Sequence, residues 1–208
     1  KVQFLVESAS GVENISEIAK VFFPRLTGIV FGMADYGSEM GVTDLDESNP
    51  VFQHAKVRIV NTCRSIGVPG IDCMSFDYPV AVKDKSRDEN AKKILNSIKS
   101  IHDLYLKSQN IGMDGKWVGH PLQLLGLKVA AVKKYSPEAV EFYLSKARLY
   151  SASIEGATMI HGEMADRATD RNIRSYLRNA VLRHKISQKE ALRLGIITES
   201  EVELLKRI

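Results

Sequence analysis

Cysteine and aromatic residues are scarce in this chain of 208 residues, which has two Cys, one Trp and only 7% Phe, Trp and Tyr together. Cys63 and Cys73 are too few for a disulfide framework and lack metal-type spacing, so both read as small core residues, and a reducing, cytoplasmic setting is expected. No apolar run reaches the roughly eighteen residues that a membrane-spanning helix needs. A strong charge bias is also missing, with 29 Lys and Arg against 25 Asp and Glu. The small basic excess is local: residues 1–166 hold 19 basic and 20 acidic side chains, whereas residues 167–208 hold 10 and 5. Within that tail Arg167, Arg171, Arg174 and Arg178 recur at helical spacing and read as a solvated helix face, so neither nucleic acid nor membrane is expected as a partner. What remains is ordinary globular composition, 44% apolar and 26% charged, with material for a sizeable core.

Four short segments read as strands: Val2 to Val6, Thr27 to Phe31, Val68 to Cys73 and Gly115 to Val118. Helical patterns lie between and after them, at Val12 to Phe23 with Asn14 as cap, Phe52 to Ile66, Glu89 to Leu106 and Leu122 to Lys134. Strand and helix alternating at short intervals predict parallel strands and an α/β protein, whose strand carboxyl ends share one edge where ligands bind. After Tyr135 the pattern changes. Ser136-Pro137-Glu138 starts a helix expected to run to about Ile154, a glycine-punctuated stretch from Gly156 to Asp166 follows, and more helix is expected to the end, with no strand to continue the sheet. The division is therefore an α/β body over 1–135 and a helical appendage over 136–208. Four such units make about half of the roughly 250 residues of an eight-stranded barrel, so the chain reads as opening inside a strand, with the first half of a barrel lying outside it.

Two acids close neighbouring strands, Glu7 in "FLVESASG" and Asp35 in "VFGMADYGSEMG". Carboxylates on one rim, with glycines leaving room, suit a hard divalent cation such as magnesium that keeps positions free for substrate oxygens. Spacing alone leaves a second reading open, in which each acid caps the following helix or pairs with a lysine. Asp72 in "GVPGIDCM" is a rim acid, an orienting group or an ordinary loop acid, while Lys116 and Trp117 sit at the last strand and His120 only shapes the rim.

The blocks "FLVESASGVENISEIA", "RLTGIVFGMADYGSEMG", "HAKVRIVNTCRSIGVPGID" and "GKWVGHPLQL" resemble, in that order, the second half of the citrate lyase β-subunit-like (HpcH/HpaI aldolase/citrate lyase) superfamily, which includes malyl-CoA, β-methylmalyl-CoA and citramalyl-CoA lyases. The resemblance implies the C-terminal half of a (β/α)8 TIM barrel, strands five to eight, followed by a helical lid region. It also implies Mg2+ held by Glu7 and Asp35, with the backbone N–H groups of Met33, Ala34 and Asp35 facing a substrate carboxylate. The arginine that grips that carboxylate belongs to an earlier strand. "GATMIHGEMADRATD" is similar to the C-terminal segment of the malyl-CoA lyase type, whose Gly-x-Met-x-Asp run matches Gly162, Met164 and Asp166. Asp166 is thereby implied to be the catalytic acid and base, entering a neighbouring subunit's site in a homotrimer or homohexamer; without the resemblance it reads as a turn acid beside Arg167.

The implied reaction cleaves a β-hydroxyacyl-CoA to acetyl-CoA and a 2-oxo acid, glyoxylate or pyruvate, or condenses them in reverse. A citryl-processing lyase subunit, a hydroxyacyl-CoA thioesterase, and a silent acyl-CoA-binding or assembly protein are the alternatives. The "VKDKSRDEN" run and the tail beyond about Leu182 depart from the expected pattern and are assigned no function.

Overall fold

The computed structural model describes residues 1–152, 157–160, 162–199 and 201–202. The chain divides into two compact units, Lys1–Ala130 and Ala131–Ile208. In the first, β1 (Val2–Val6), β2 (Leu26–Phe31), β3 (Gly70–Asp72) and β4 (Gly115–Lys116) form one parallel sheet in the order β1-β2-β3-β4. Between β1 and β2 lie α1 (Ala9–Glu13) and α2 (Ile15–Phe22); α3 (Met33–Glu39) and α4 (Pro50–Ile66) precede β3; α5 (Arg87–Ile111) precedes β4; and α6 (Gln123–Lys134) follows it.

Local chemistry sets these limits. Asn49 caps α4 by accepting from Val51 N, with Pro50 in the first turn and Gly67 ending the helix at φ 73°. Ser86 and Glu89 close a capping box at the start of α5, and Gly112 ends it at φ 105°. One cap differs from the sequence expectation. The segment from Val12 to Phe23 is two helices, with Ser8 capping the first; Asn14 lies at their junction, and its side chain donates to Ser10 O instead of capping α2.

Alternation along the strands sends Val6, Ile29 and Phe31 into a core with Val12, Ile15, Ala19, Phe52 and Ile59 from the helices. The opposite residues, Gln3, Leu5, Val30 and Ile71, line an open hollow of about 310 Å³ with Trp117, and Leu5 and Trp117 stay 40% and 44% exposed. Parallel sheets are ordinarily covered on both faces, so this one-sided cover is unusual.

In the second unit, α7 (Pro137–Ala152) is followed by an antiparallel pair, β5 (Ala157–Ile160) and β6 (Glu163–Asp166), then α8 (Arg167–Leu182) and α9 (Gln188–Arg193). The hairpin forms its own sheet and does not extend the first, in keeping with the expectation that no strand continues it, although the sequence pattern gives no sign of the hairpin itself. Gly162 adopts φ 82°, a left-handed value that suits the tight reversal between the two strands. The expected end of α7 at Ile154 lies outside the described residues. Val140, Leu144 and Ala147 pack with Ile173, Leu177 and Ala180 to make this unit's core. Among the described residues no helix is long and apolar enough to cross a membrane.

Candidate functional site

The β1–β2 register places Val6 beside Phe31, so Glu7 and Gly32 leave the sheet together, tied by Gly32 N donating to Val6 O at 2.8 Å. A Cβ at Gly32 would lie 2.6 Å from Glu7 Cβ and 2.9 Å from its Oε2, so only glycine leaves the Glu7 side chain where it is. The chain then turns at once into α3, which carries Asp35 in its first turn. Glu7, Met33, Ala34 and Asp35 thus line one cleft of about 240 Å³, together with Gly32, Cys73, Met74 and Trp117. Among the described residues neither Glu7 nor Asp35 has an ion-pair or hydrogen-bond partner. The lysine-paired and helix-capping alternatives for these two acids do not occur among the described residues.

Behind the sheet, on its helix-covered side, lies a buried cluster that the sequence did not announce. Asp72 is fully buried, and Lys56, Lys116 and Glu47 are 1%, 6% and 9% exposed. Lys116 Nζ donates to both Glu47 oxygens at 2.8 Å and approaches Asp72 Oδ2 at 3.3 Å. Lys56 Nζ donates to Glu47 Oε2 at 2.8 Å and to Asp72 at 3.0 Å. The Ser108 hydroxyl and Cys73 N complete the Asp72 carboxylate. Burial alone would push the Asp72 carboxyl up, but Lys116 and Lys56 beside it hold it well below the usual carboxylate range. Burial likewise works against the Lys56 ammonium, and Asp72 with Glu47 carries it above its ordinary value. Two carboxylates thus face two ammonium groups, and the formal charges of the cluster cancel.

Ligand-type atoms of Glu47, Asp72 and Cys73 do lie within 4.8 Å of one another. Two ammonium groups already occupy those carboxylates, and burial pushes the Cys73 thiol far up, so the cluster fits an ion network and not a metal centre. One signal for it was present in the sequence: Lys56 stands on the buried stripe of α4 with Phe52, Ile59 and Cys63, where a cation needs a partner. Glu47 gave none, since Asp44 and Asp46 beside it make the loop look solvated.

Asp166 belongs to the second unit. It ends β6 and caps α8, accepting from Ala168 N at 2.9 Å, Thr169 N at 2.8 Å and Thr169 Oγ1 at 3.0 Å. The Thr169 N–H and hydroxyl, with Ala168 N, hold its carboxyl below the usual range. The helical arginines are partly engaged: Arg174 pairs with Asp170 at 2.6 Å and Arg178 with Glu201 at 3.3 Å. His120 accepts from Leu122 N at 3.2 Å, a local turn contact.

Comparison with known proteins follows the same lines. A citrate lyase of Burkholderia xenovorans superposes over 93% of this chain and 57% of its own, with TM-score 0.65 and 22% identity. Protein CitE of Mycobacterium tuberculosis, solved with magnesium, acetoacetate and coenzyme A, does so over 85% and 60%, with TM-score 0.64 and 21% identity. These similarities show the fold, an α/β architecture with a parallel sheet. The L-malyl-CoA/β-methylmalyl-CoA lyase of Rhodobacter capsulatus is 27% identical over 86% of this chain and 56% of its own length, and that of Haloarcula marismortui is 26% identical over 83% and 48%. The chain spans about half the length of the curated relatives it matches. Residues 1–96, which hold both cleft carboxylates, match the model of the HpcH/HpaI aldolase/citrate lyase family.

Proposed function

We propose that this chain carries the metal-binding part of a carbon–carbon lyase that cleaves a β-hydroxyacyl-CoA of the malyl-CoA or citramalyl-CoA type. The observation that carries the reading is the pair Glu7 and Asp35, meeting unpartnered in one cleft at the carboxyl ends of β1 and β2. Two hard oxygen donors in an open cleft fit magnesium, and the soft Met33, Met74 and Cys73 on the same wall do not compete for it. Relatives named as malyl-CoA lyases, and a structural neighbour solved with magnesium and coenzyme A, support the same chemistry.

Magnesium bound there supplies Lewis-acid polarisation of the substrate's oxygens. Glu7 and Asp35 would hold it. The amides of Met33, Ala34 and Asp35, at the entry to α3, donate to the substrate carboxylate. Carbon–carbon cleavage then requires that the hydroxyl give its proton to water, that the carbinol carbon become the carbonyl of the 2-oxo acid, and that the bond's electrons pass into the thioester as an enolate. Asp166 gives the enolate carbon its proton, or takes one from the acetyl methyl group in the reverse direction. Its helix-capping hydrogen bonds hold the carboxyl low in this chain, and both proton-transfer roles need a drier surrounding that raises it, such as closure over a neighbouring subunit's site in a homotrimer or homohexamer.

Within the same reading, residues 1–135 are strands five to eight of a (β/α)8 barrel and residues 136–208 a lid and extension. The uncovered face of Gln3, Leu5, Val30 and Ile71 is what the inside of a barrel looks like when four strands are seen without the other four.

The test is an assay of the full-length protein with malyl-CoA and citramalyl-CoA, with magnesium and then with EDTA, beside Glu7→Gln. Metal-dependent release of 2-oxo acid and acetyl-CoA, lost in the variant, is expected. Free CoA with a hydroxy acid would make the protein a thioesterase, and no turnover of any of these would remove the enzymatic reading.

A further inference from the structure

The loop of residues 40–49, which follows the Asp35 helix, has no regular structure, yet it ends in one of the most deeply tied carboxylates of the molecule. Glu47 takes hydrogen bonds from Lys56 of α4 and Lys116 of β4, while its backbone carbonyl accepts from Gln53 Nε2 at 2.6 Å. Two residues earlier, Leu45, though 36% exposed, packs against α3, where a Cβ on Gly37 would meet Leu45 Cδ2 at 3.2 Å and Phe52 at 3.1 Å. Val42 N donates to Gly37 O at 2.8 Å, joining the loop's start to the same helix. With seven residues, α3 is too short to hold its position by its own hydrogen bonds. Its place is set by Tyr36, packed against Phe31 and Phe52, by Glu39, which accepts from Ala9 N at 2.9 Å at its last turn, and by this loop beneath its centre.

We propose that Glu47 is a positioning residue for the cleft: by engaging both buried lysines it pins the loop under α3 and so fixes the turn that bears Asp35 opposite Glu7. The inference rests on the reading of that cleft as a cation site only for its effect on metal affinity; the pinning itself is a property of the fold. A merely stabilising contact would raise stability everywhere in the unit, whereas a latch acts on one segment. The remaining contacts of the cluster, Lys56 and Lys116 on Asp72, join α4, β3 and β4 without touching α3.

The experiment is hydrogen exchange on the full chain, with Mn2+ binding measured in parallel, for the wild type, Glu47→Gln, Glu47→Asp and the charge-balanced double variant Glu47→Gln/Lys56→Gln. In Glu47→Gln, amides of Met33 to Glu39 and of the following loop should exchange at least about tenfold faster while β1 and β2 keep their protection, since local opening has its own free energy. Mn2+ affinity should fall with it, and Glu47→Asp should restore part of both. The double variant keeps net neutrality and the Lys116–Asp72 pair, so it remains informative where the single variant does not fold. Wild-type exchange over α3 in either folded Gln-containing variant overturns the proposal, as does loss of protection spread evenly through the unit. If the wild type takes up no Mn2+, or Glu7→Gln binds it equally well, the cation reading fails separately and the exchange pattern alone decides on the latch.

Discussion

Lys116 Nζ stands 2.8 Å from both oxygens of Glu47, across 69 positions of sequence, with the lysine side chain wholly out of solvent. A buried ammonium of this kind is held only by its counter-charges. Lys116→Met should therefore cost about 3–5 kcal/mol, because it leaves Glu47 and Asp72 sharing a single buried cation. Urea unfolding followed by circular dichroism measures it; a loss under about 1 kcal/mol would mean that water reaches the cluster.

Acid should act on the same cluster. The native Asp72 carboxyl lies at about 2, below its ordinary value, so it binds fewer protons than in the unfolded chain. Its contribution is complete above the ordinary carboxylate pKa of about 4 and is lost as pH falls from there through about 2. Thermal midpoints of the wild type and Asp72→Asn between pH 2 and 6 should converge at the acid end.

Glu7→Gln and Asp35→Asn should each abolish measurable Mg2+ uptake by calorimetry. Neither acid has a partner among the described residues, so folding stability should stay within about 0.5 kcal/mol of wild type. A large stability loss would reveal a structural partner instead.

Gly32→Ala should damage the cleft from below. The added methyl group would sit 2.6 Å from Glu7 Cβ, so the Glu7 side chain has to move away. An overpacking cost of about 1–3 kcal/mol is expected, together with a clear loss of Mg2+ affinity, and titration of the folded variant checks both.

At Asp166 capping and proton transfer can be separated. Asn caps a helix as well as Asp does, so Asp166→Asn should keep the α8 cap and the melting temperature while removing the proton carrier. Asp166→Ala should lower both stability and turnover. Unchanged 2-oxo acid release in a folded Asp166→Asn protein would leave the residue with its capping role alone.

Strand positions were legible because apolar runs such as Phe4-Leu5-Val6 and Ile29-Val30-Phe31 end abruptly in polar or glycine residues, and the same endings pointed to Glu7 and Asp35. The split of the first helix was not, since it depends on Ser8 taking the capping role from a site that Asn14 also suits. Nor was the β5–β6 hairpin, whose strands of four residues each are too short for a period to show. The ion network escaped for a different reason. Its members come from a loop, a helix and two strand ends, and only the tertiary fold reveals that Glu47 faces inward while Asp46, one residue before it, faces water.

That network also bears on how the chain reaches its native state. Glu47 and Lys56 are close in sequence, but Asp72 and Lys116 reach them only after β3 and β4 have docked, so the network closes late. Contacts of this separation form late and slow the search. Lys116→Met should then speed unfolding far more than it slows folding, with the cluster assembling on the native side of the barrier.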